Sequence, residues 1–534
     1  MRNLRVAFGQ TNPVVGDFGH NLEQIQAAIQ NAHGSADLIV FGELALCGYP
    51  LGDLSYRRDI IDGSGQALRK LIQFSAKFPS ITIVVGHASH AMGRQVETQE
   101  SFAIAHNSAS VVAAGELIGS YHKQLLPNFD VFDDWRNFVP GSEELFFSVN
   151  GTKCALAICQ DMWTDDLQRP AELSAHGVEL LVVPNGSPFG KGKHATRIAA
   201  ARNFQRGFGI AYANLSGGQD ELVFDGSSFL LDPDGTLTFQ AEIKEGVHFS
   251  TSESFERSET ERLWEALVVG LRDYLAKTGQ HSIILGLSGG IDSALSAAIA
   301  AEAIGPENVY GVALPSRYSS EHSISDAEAL AMNLGLNYSL IEIDTAHKAF
   351  ESLVPLGDLA GENIQARIRA VILMGISNTE GHLLLSTGNK SEIAVGYSTM
   401  YGDSAGGFAP IKDLYKTEVW SLASWYNESR GKELIPKSSI TKAPSAELRP
   451  DQQDSDSLPD YEVLDRVIEA LVEKTLTIDQ VAESGFDREL VVQIDDLIRK
   501  AEWKRSQGAI GTKVSAVAFG SGRRVPLTTR FEKL

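Results

Sequence analysis

Between an apolar run, Ile283-Ile-Leu-Gly-Leu287, and an alanine-rich segment, Ala294–Ile304, the chain reads Ser288-Gly289-Gly290-Ile-Asp292-Ser293. The run has the length and continuity of a buried strand, and the segment after it has the composition of a helix. Two adjacent glycines let the chain turn sharply and bring backbone N–H groups together around an anion. The helix N-terminus adds unpaired donors and the positive end of its dipole. Ser288 and Ser293 can add hydroxyl donors, and Asp292 a carboxylate suited to Mg²⁺. No Gly-Lys-Ser/Thr follows, so this is not a Walker loop. Nor is it G-x-G-x-x-G, which disfavours hydride transfer. Strands over Val309–Leu314, Tyr338–Ile343 and Leu383–Ser386 alternate with helices near 323–334 and 363–378. That alternation predicts an α/β domain with a parallel, doubly wound sheet.

A chain of 534 residues is too long for one ordinary core. The first half carries its own strand-like runs at Leu4–Phe8, Ala36–Phe41, Ile81–Val85, Ala155–Ile158 and Leu180–Val183, with helical patterns at Asn21–Ala32 and His194–Phe204. We therefore expect a layered α/β domain over residues 1–245, a polar, acidic linker over 246–262 and the second domain over 263–534. The Ser-, Pro-, Asp- and Gln-rich stretch Lys437–Asp456 reads as a mobile loop.

Three residues in the first half have the types that amide hydrolysis needs. Cys159 follows the run Ala155–Ile158, Glu43 follows Ala36–Phe41, and Lys123 lies in Tyr121-His-Lys-Gln-Leu-Leu-Pro127. A thiolate, a base to generate it and later to activate water, and a cation for the oxyanion form a complete set. Taken singly, each has a plainer explanation: a cysteine after a strand is usually a small buried hydrophobe, and a lone Glu or Lys usually faces solvent. Cys154, five residues before Cys159, should point to the opposite strand face. Cys47 lies in a Gly/Pro loop and reads as packing.

The surrounding phrases decide between these readings. Phe41-Gly-Glu43-Leu-Ala-Leu-Cys-Gly-Tyr-Pro50, Lys123-Gln-Leu-Leu-Pro127 with Phe138-Val-Pro-Gly141, and Ile158-Cys159-Gln-Asp-Met-Trp163 resemble, in order and spacing, the nitrilase (carbon–nitrogen hydrolase) family. The resemblance implies an α-β-β-α sandwich with Glu43 as general base, Lys123 as oxyanion stabiliser and Cys159 as nucleophile. Many relatives have Phe-Asp-Glu where this chain has Phe132-Asp133-Asp134, so Asp134 stands where the family's second glutamate would be. Asn185-Gly-Ser-Pro-Phe189 resembles the substrate loop of glutaminase-type members, which implies glutamine contacts from Ser187, Lys193 and Phe129.

The Ser288–Ser293 phrase resembles the PP-loop of the ATP pyrophosphatases, implying that Ser288, Gly289, Gly290, Asp292 and Ser293 bind ATP. The phrases Pro315–Ser320, Glu362–Arg369, Ser386–Glu392, Gly396–Asp403, Lys412-Asp413, Asp454–Pro459 and Lys504–Gln507 are similar to the NAD⁺ synthetase family. By that likeness Asp292 and Glu392 hold Mg²⁺, and Arg367 and Thr387 contact ATP. Asn363, Asp403, Lys412, Lys416 and Lys504 contact deamido-NAD⁺ or phosphate, with Glu362, Arg369 and Asn389 as further candidates. Together the resemblances imply a ligase that frees ammonia from glutamine and amidates deamido-NAD⁺ through an adenylate. They also imply a shielded passage for ammonia and a homo-oligomer. A different glutamine-dependent PP-loop ligase is the alternative.

Forty-six Lys and Arg against 68 Asp and Glu give a net charge of −22, which disfavours nucleic-acid and anionic-membrane partners. No run approaches the ~18–20 apolar residues of a membrane helix. Three cysteines make no disulfide framework, so a cytoplasmic location is expected.

Overall fold

A computed structural model describes residues 4–91, 103–450 and 452–529. The chain divides into two compact units, Met1–Arg262 and Leu263–Leu534. No helix among the described residues is long and apolar enough to cross a membrane.

The first unit holds two six-stranded sheets. One runs in the order Gly246–Phe249, Val6–Gln10, Leu38–Phe41, Thr82–His90, Ala105–Ala113, Glu116–His122. The other runs Leu237–Gln240, Phe229–Leu231, Gly209–Asn214, Leu180–Asn185, Thr152–Leu156, Phe146–Val149. The central strands pair in parallel and are buried on both faces, which is why they read as unbroken apolar runs. Phe8, Leu38, Val40 and Val84 of one sheet meet Leu156, Leu180, Val182 and Ala211 of the other in a single core. The outer faces carry helices. Ala7, Ile39 and Ile83 pack with Leu22, Ile25 and Ile29 of helix Phe18–Ala32 and with Leu71 of helix Arg58–Ser75. Leu181, Val183 and Ile210 pack with Leu173 of helix Gln168–Ala175 and with Ala201 and Phe204 of helix Lys193–Phe204. The result is the expected α-β-β-α sandwich.

Two expectations are corrected. Gly246–Phe249, assigned to the linker, is a strand pairing antiparallel with Val6–Gln10. Its short, polar sequence hides it, because only the ladder partner makes it a strand. Cys154 and Cys159 face the same core between the sheets rather than opposite faces. The strand ends at Leu156 and a 3-10 turn begins at Cys159, so the alternation of two does not reach it.

The second unit holds a four-stranded sheet, all parallel, in the order Asn337–Leu340, Val309–Ala313, Ile283–Gly286, Leu383–Leu384. The chain first steps outward in one direction from Ile283–Gly286 and then places Leu383–Leu384 on its other side. The carboxyl end of Ile283–Gly286 therefore lies at the topological switch point, where such sheets bind ligands. Helices Tyr461–Ile468 and Arg488–Lys500 pack around Ala394 and Val395 in a separate core. The stretch expected to be a mobile loop holds a helix, Lys437–Thr441. Beyond it, Glu447 accepts hydrogen bonds from Ser320 N (3.1 Å), Ser323 Oγ (2.7 Å) and Lys442 Nζ (2.7 Å). These partners are more than 100 residues away or flank the carboxylate locally, so composition alone could not show the anchoring.

Candidate active sites

In the first unit, Glu43, Lys123 and Cys159 each stand just beyond a strand end, and the fold buries all three. The Lys123 ammonium donates to Glu43 Oε1 and to Asp134 Oδ2, both at 2.6 Å. Glu43 also accepts from Asn107 Nδ2 (2.7 Å) and, through Oε2, from Gly186 N (2.9 Å). Tyr49 Oη donates to Asp134 Oδ1 at 3.1 Å. Asp134 thus joins the cluster from the first turn of helix Asp134–Asn137.

Cys159 has φ of +43°, a left-handed backbone that a β-carbon disfavours and that surrounding structure must hold in place. Burial, then the Glu43 charge, pushes its thiol above the ordinary range, while Lys123 opposes the shift. These surroundings disfavour the thiolate, so a nearby base would help to form it. Burial alone would lower the Lys123 ammonium. Asp134 and Glu43 outweigh it and hold Lys123 well above its usual value, so it stays a cation. Burial raises the Asp134 carboxyl against the pull of Lys123.

The predicted glutamine contacts divide. Lys193 opens helix Lys193–Phe204, and its ammonium lies 5.6 Å from the Phe132 ring centre and favours the Cys159 thiolate. Phe129 packs edge-on against Phe132 and is exposed. Ser187 is buried, and its hydroxyl is already engaged by Arg197 Nε at 3.1 Å. Sequence reasoning missed Arg197. Its guanidinium is fully buried, pairs with Asp225 (2.7 and 2.9 Å), and donates to the carbonyls of Ser187 and Pro188. Asn107 and Asp161 were missed as well. Asn107 gave no local signal, because its strand, Ala105–Ala113, also carries His106, Ser108 and Ser110.

In the second unit, Gly289 has φ of +76°, and a β-carbon there would lie 2.3 Å from Ser323 O, so only glycine fits the turn. Ser288 Oγ accepts from Gly290 N, and Ser293 Oγ donates to Gly290 O, so the loop is braced internally. Helix Ile291–Ile304 starts at this turn. Asp292 accepts from Asn389 Nδ2 (2.9 Å) and Lys416 Nζ (2.5 Å), and Glu392 accepts from the same ammonium at 3.2 Å. Burial pushes the Glu392 carboxyl up, with Lys416 opposing. Burial would lower the Lys416 ammonium, but Asp292 and Glu392 raise it.

These groups border a cavity of about 350 Å³. Ser288, Gly290, Asp292, Ser293, Thr387, Glu392, Asp403, Lys412, Lys416 and Lys504 all line it, as does Arg369, whose Nε donates to Leu314 O. Burial pushes the Arg369 guanidinium down to about 10. Gly289, Arg367 and Asn363 are not among the residues that line the cavity. Arg367 Nε holds Met400 O at 3.1 Å, and Asn363 Oδ1 accepts from Thr399 Oγ1 at 2.7 Å. Lys504 Nζ donates to Gly396 O and Ser398 O, and Lys412 Nζ to Ala509 O. Among the described residues no group of three or more His, Cys, Asp or Glu side chains could hold a metal ion.

Comparison with known proteins matches this division. The family model described as carbon-nitrogen hydrolase matches residues 5–249, and that described as NAD synthase matches residues 263–508. A glutamine-dependent NAD(+) synthetase of Thermotoga maritima is 40% identical, with 100% of each chain covered. That of Synechocystis sp. is 42% identical over 98% of this chain and 99% of its own. The solved glutamine-dependent NAD⁺ synthetase of Acinetobacter baumannii, in complex with ADP, superposes with a TM-score of 0.77 at 35% identity, covering 98% of each chain.

Proposed function

This chain belongs to the glutamine-dependent NAD(+) synthetase family, and from that membership we propose how its residues share the work. The enzyme hydrolyses glutamine to glutamate and ammonia, and amidates deamido-NAD⁺ to NAD⁺ while ATP goes to AMP and pyrophosphate.

The observation that carries the amidase assignment is the buried Glu43–Lys123–Asp134 cluster beside Cys159. Glu43 takes the Cys159 proton, and the thiolate attacks the glutamine amide carbon. Lys123 stabilises the oxyanion that forms, and Asp134 holds the ammonium of Lys123 from its other side. The proton on Glu43 passes to the leaving nitrogen, ammonia departs, and Glu43 then activates water against the thioester. Arg197 and Asp225 fix the Ser187 loop, and Lys193 and Phe129 sit at the rim where glutamine enters.

In the second unit Ser288–Ser293, Thr387 and Arg367 serve ATP. Asn363, Asp403, Lys412, Lys416 and Lys504 serve deamido-NAD⁺ and phosphate. The deamido-NAD⁺ carboxylate attacks the α-phosphorus, pyrophosphate leaves, and ammonia displaces AMP. Asp292 and Glu392 reach one common ammonium, so their oxygens converge on a point. A hard oxygen pair of this kind fits Mg²⁺, with substrate phosphates completing the shell. When bound, the ion neutralises phosphate charge. Ammonia passes to the adenylate without mixing with bulk ammonium, so ¹⁵N-ammonium added in the presence of saturating glutamine should enter NAD⁺ poorly. The free cysteines suit a reducing cytoplasm.

The deciding test gives wild type and Cys159→Ala deamido-NAD⁺, ATP and Mg²⁺ with either glutamine or ammonium. The variant should lose glutamine-driven NAD⁺ synthesis and keep ammonium-driven synthesis. Glutamine-driven synthesis by the variant would remove Cys159 from the mechanism.

A further inference from the structure

One carboxylate in the first unit is spent entirely on main chain and phenol next to the reacting residues. Asp161 is 1% exposed and sits in the 3-10 turn that begins at Cys159. Its Oδ1 accepts from Gln124 N (3.1 Å) and Leu125 N (2.7 Å), the two amides directly after Lys123. Its Oδ2 accepts from Ile158 N (2.9 Å), the amide directly before Cys159, and from Tyr121 Oη (2.8 Å), two residues before Lys123. Lys123 and Cys159 come from strands in different sheets, Glu116–His122 and Thr152–Leu156. The ladder of neither sheet sets the spacing between them.

We infer that Asp161 is the positioning residue that sets the register of Lys123 against Cys159. Four donors on one buried carboxylate leave it little freedom, and three of the four are backbone amides within two residues of Lys123 or next to Cys159. The neighbouring bonds hold only one segment each: Lys123 N donates to Asn107 O, and Gly141 N donates to Lys123 O. The Lys123 charge favours the Cys159 thiolate, so a loosened register should show in the acidity of that thiol. The inference rests on the amidase roles proposed above for Lys123 and Cys159.

The test is Asp161→Asn in the full chain. An amide of the same shape keeps one acceptor oxygen and turns an N–H₂ toward two backbone donors. Two quantities are read: steady-state glutamine hydrolysis, and the pH dependence of Cys159 alkylation by iodoacetamide, located by peptide mass spectrometry. The kcat for glutamine should fall about 100-fold, as for a roughly 1 Å misplacement, with KM within about threefold. The half-point of Cys159 alkylation should move to higher pH. Tyr121→Phe, which withdraws one of the four bonds, should move both quantities the same way by less. A kcat near wild type would overturn the inference, and so would a lost kcat with an unshifted alkylation profile, which marks general loosening. If Asp161→Asn fails to fold, Tyr121→Phe decides by the same criteria. Because alkylation reports on the thiol whether or not it attacks glutamine, an error in the role of Cys159 would appear in Cys159→Ala and not here.

Discussion

At His87 a buried imidazole ties the first unit's stability to pH. The ring lies 3.1 Å from Ala88 O and 2.7 Å from Ser110 Oγ, and burial pushes it down to about 4. The unfolded chain binds this proton from about pH 6.5 downward, the folded unit only near 4. The contribution is therefore complete above about 6.5 and is lost as pH falls toward 4, on the order of 3 kcal/mol. Urea denaturation from pH 7 to 4 should show that loss, and His87→Gln should flatten it. Lys123→Met would leave Glu43 and Asp134 buried without their cation. It should cost about 3–5 kcal/mol in the same assay and abolish glutamine hydrolysis. Glu43, Lys123 and Cys159 were legible in the sequence because each sits in a distinctive local phrase. Asn107, Asp161 and Arg197 were not, because their roles lie in partners brought from distant segments. Arg197 gives no local sign that it spans Ser187, Pro188 and Asp225.

Elements were legible where the pattern was local and strong. The strand, glycine turn and helix of Ile283–Ile304 lie where expected, as do the central strands of the first unit, except that the one expected over Ala155–Ile158 runs Thr152–Leu156 and ends before Cys159. Gly246–Phe249 and the Lys437–Asp456 stretch were misread because tertiary partners override weak local preference. Two predictions belong here. Gly289→Ala drives a β-carbon against Ser323 O in a backbone that disfavours it, so ammonium-driven NAD⁺ synthesis should fall at least about 100-fold. Glu447 gathers Ser320 N, Ser323 Oγ and Lys442 at the start of helix Glu321–Leu334, and residues Lys442–Leu448 border the cavity. Ser320 remains the helix cap, and losing the bonds to Glu447 costs about 1 kcal/mol of order in this cavity wall, so Glu447→Ala should raise the KM for ATP about fivefold with kcat nearly unchanged, read by pyrophosphate release.

For the whole molecule, the expectation of a homo-oligomer has one support in the second unit. Leu353, Val354, Leu359 and Val371, on or beside helices Asp344–Leu353 and Asp358–Glu380, are all more than half exposed. Exposed large apolar side chains on these helices are the kind of surface that a second copy would cover. Light scattering after size exclusion should find an assembly that Val371→Glu weakens. The buried cluster of the first unit has a consequence for the direction of flux. It gathers two carboxylates around one ammonium, where the proposed mechanism opens the side chain of glutamine. A neutral amide enters that environment without electrostatic penalty, whereas the γ-carboxylate of the product meets a surplus of like charge and leaves. Glutamate should therefore inhibit only at concentrations far above the KM for glutamine, read as its inhibition constant in a glutamine-hydrolysis assay.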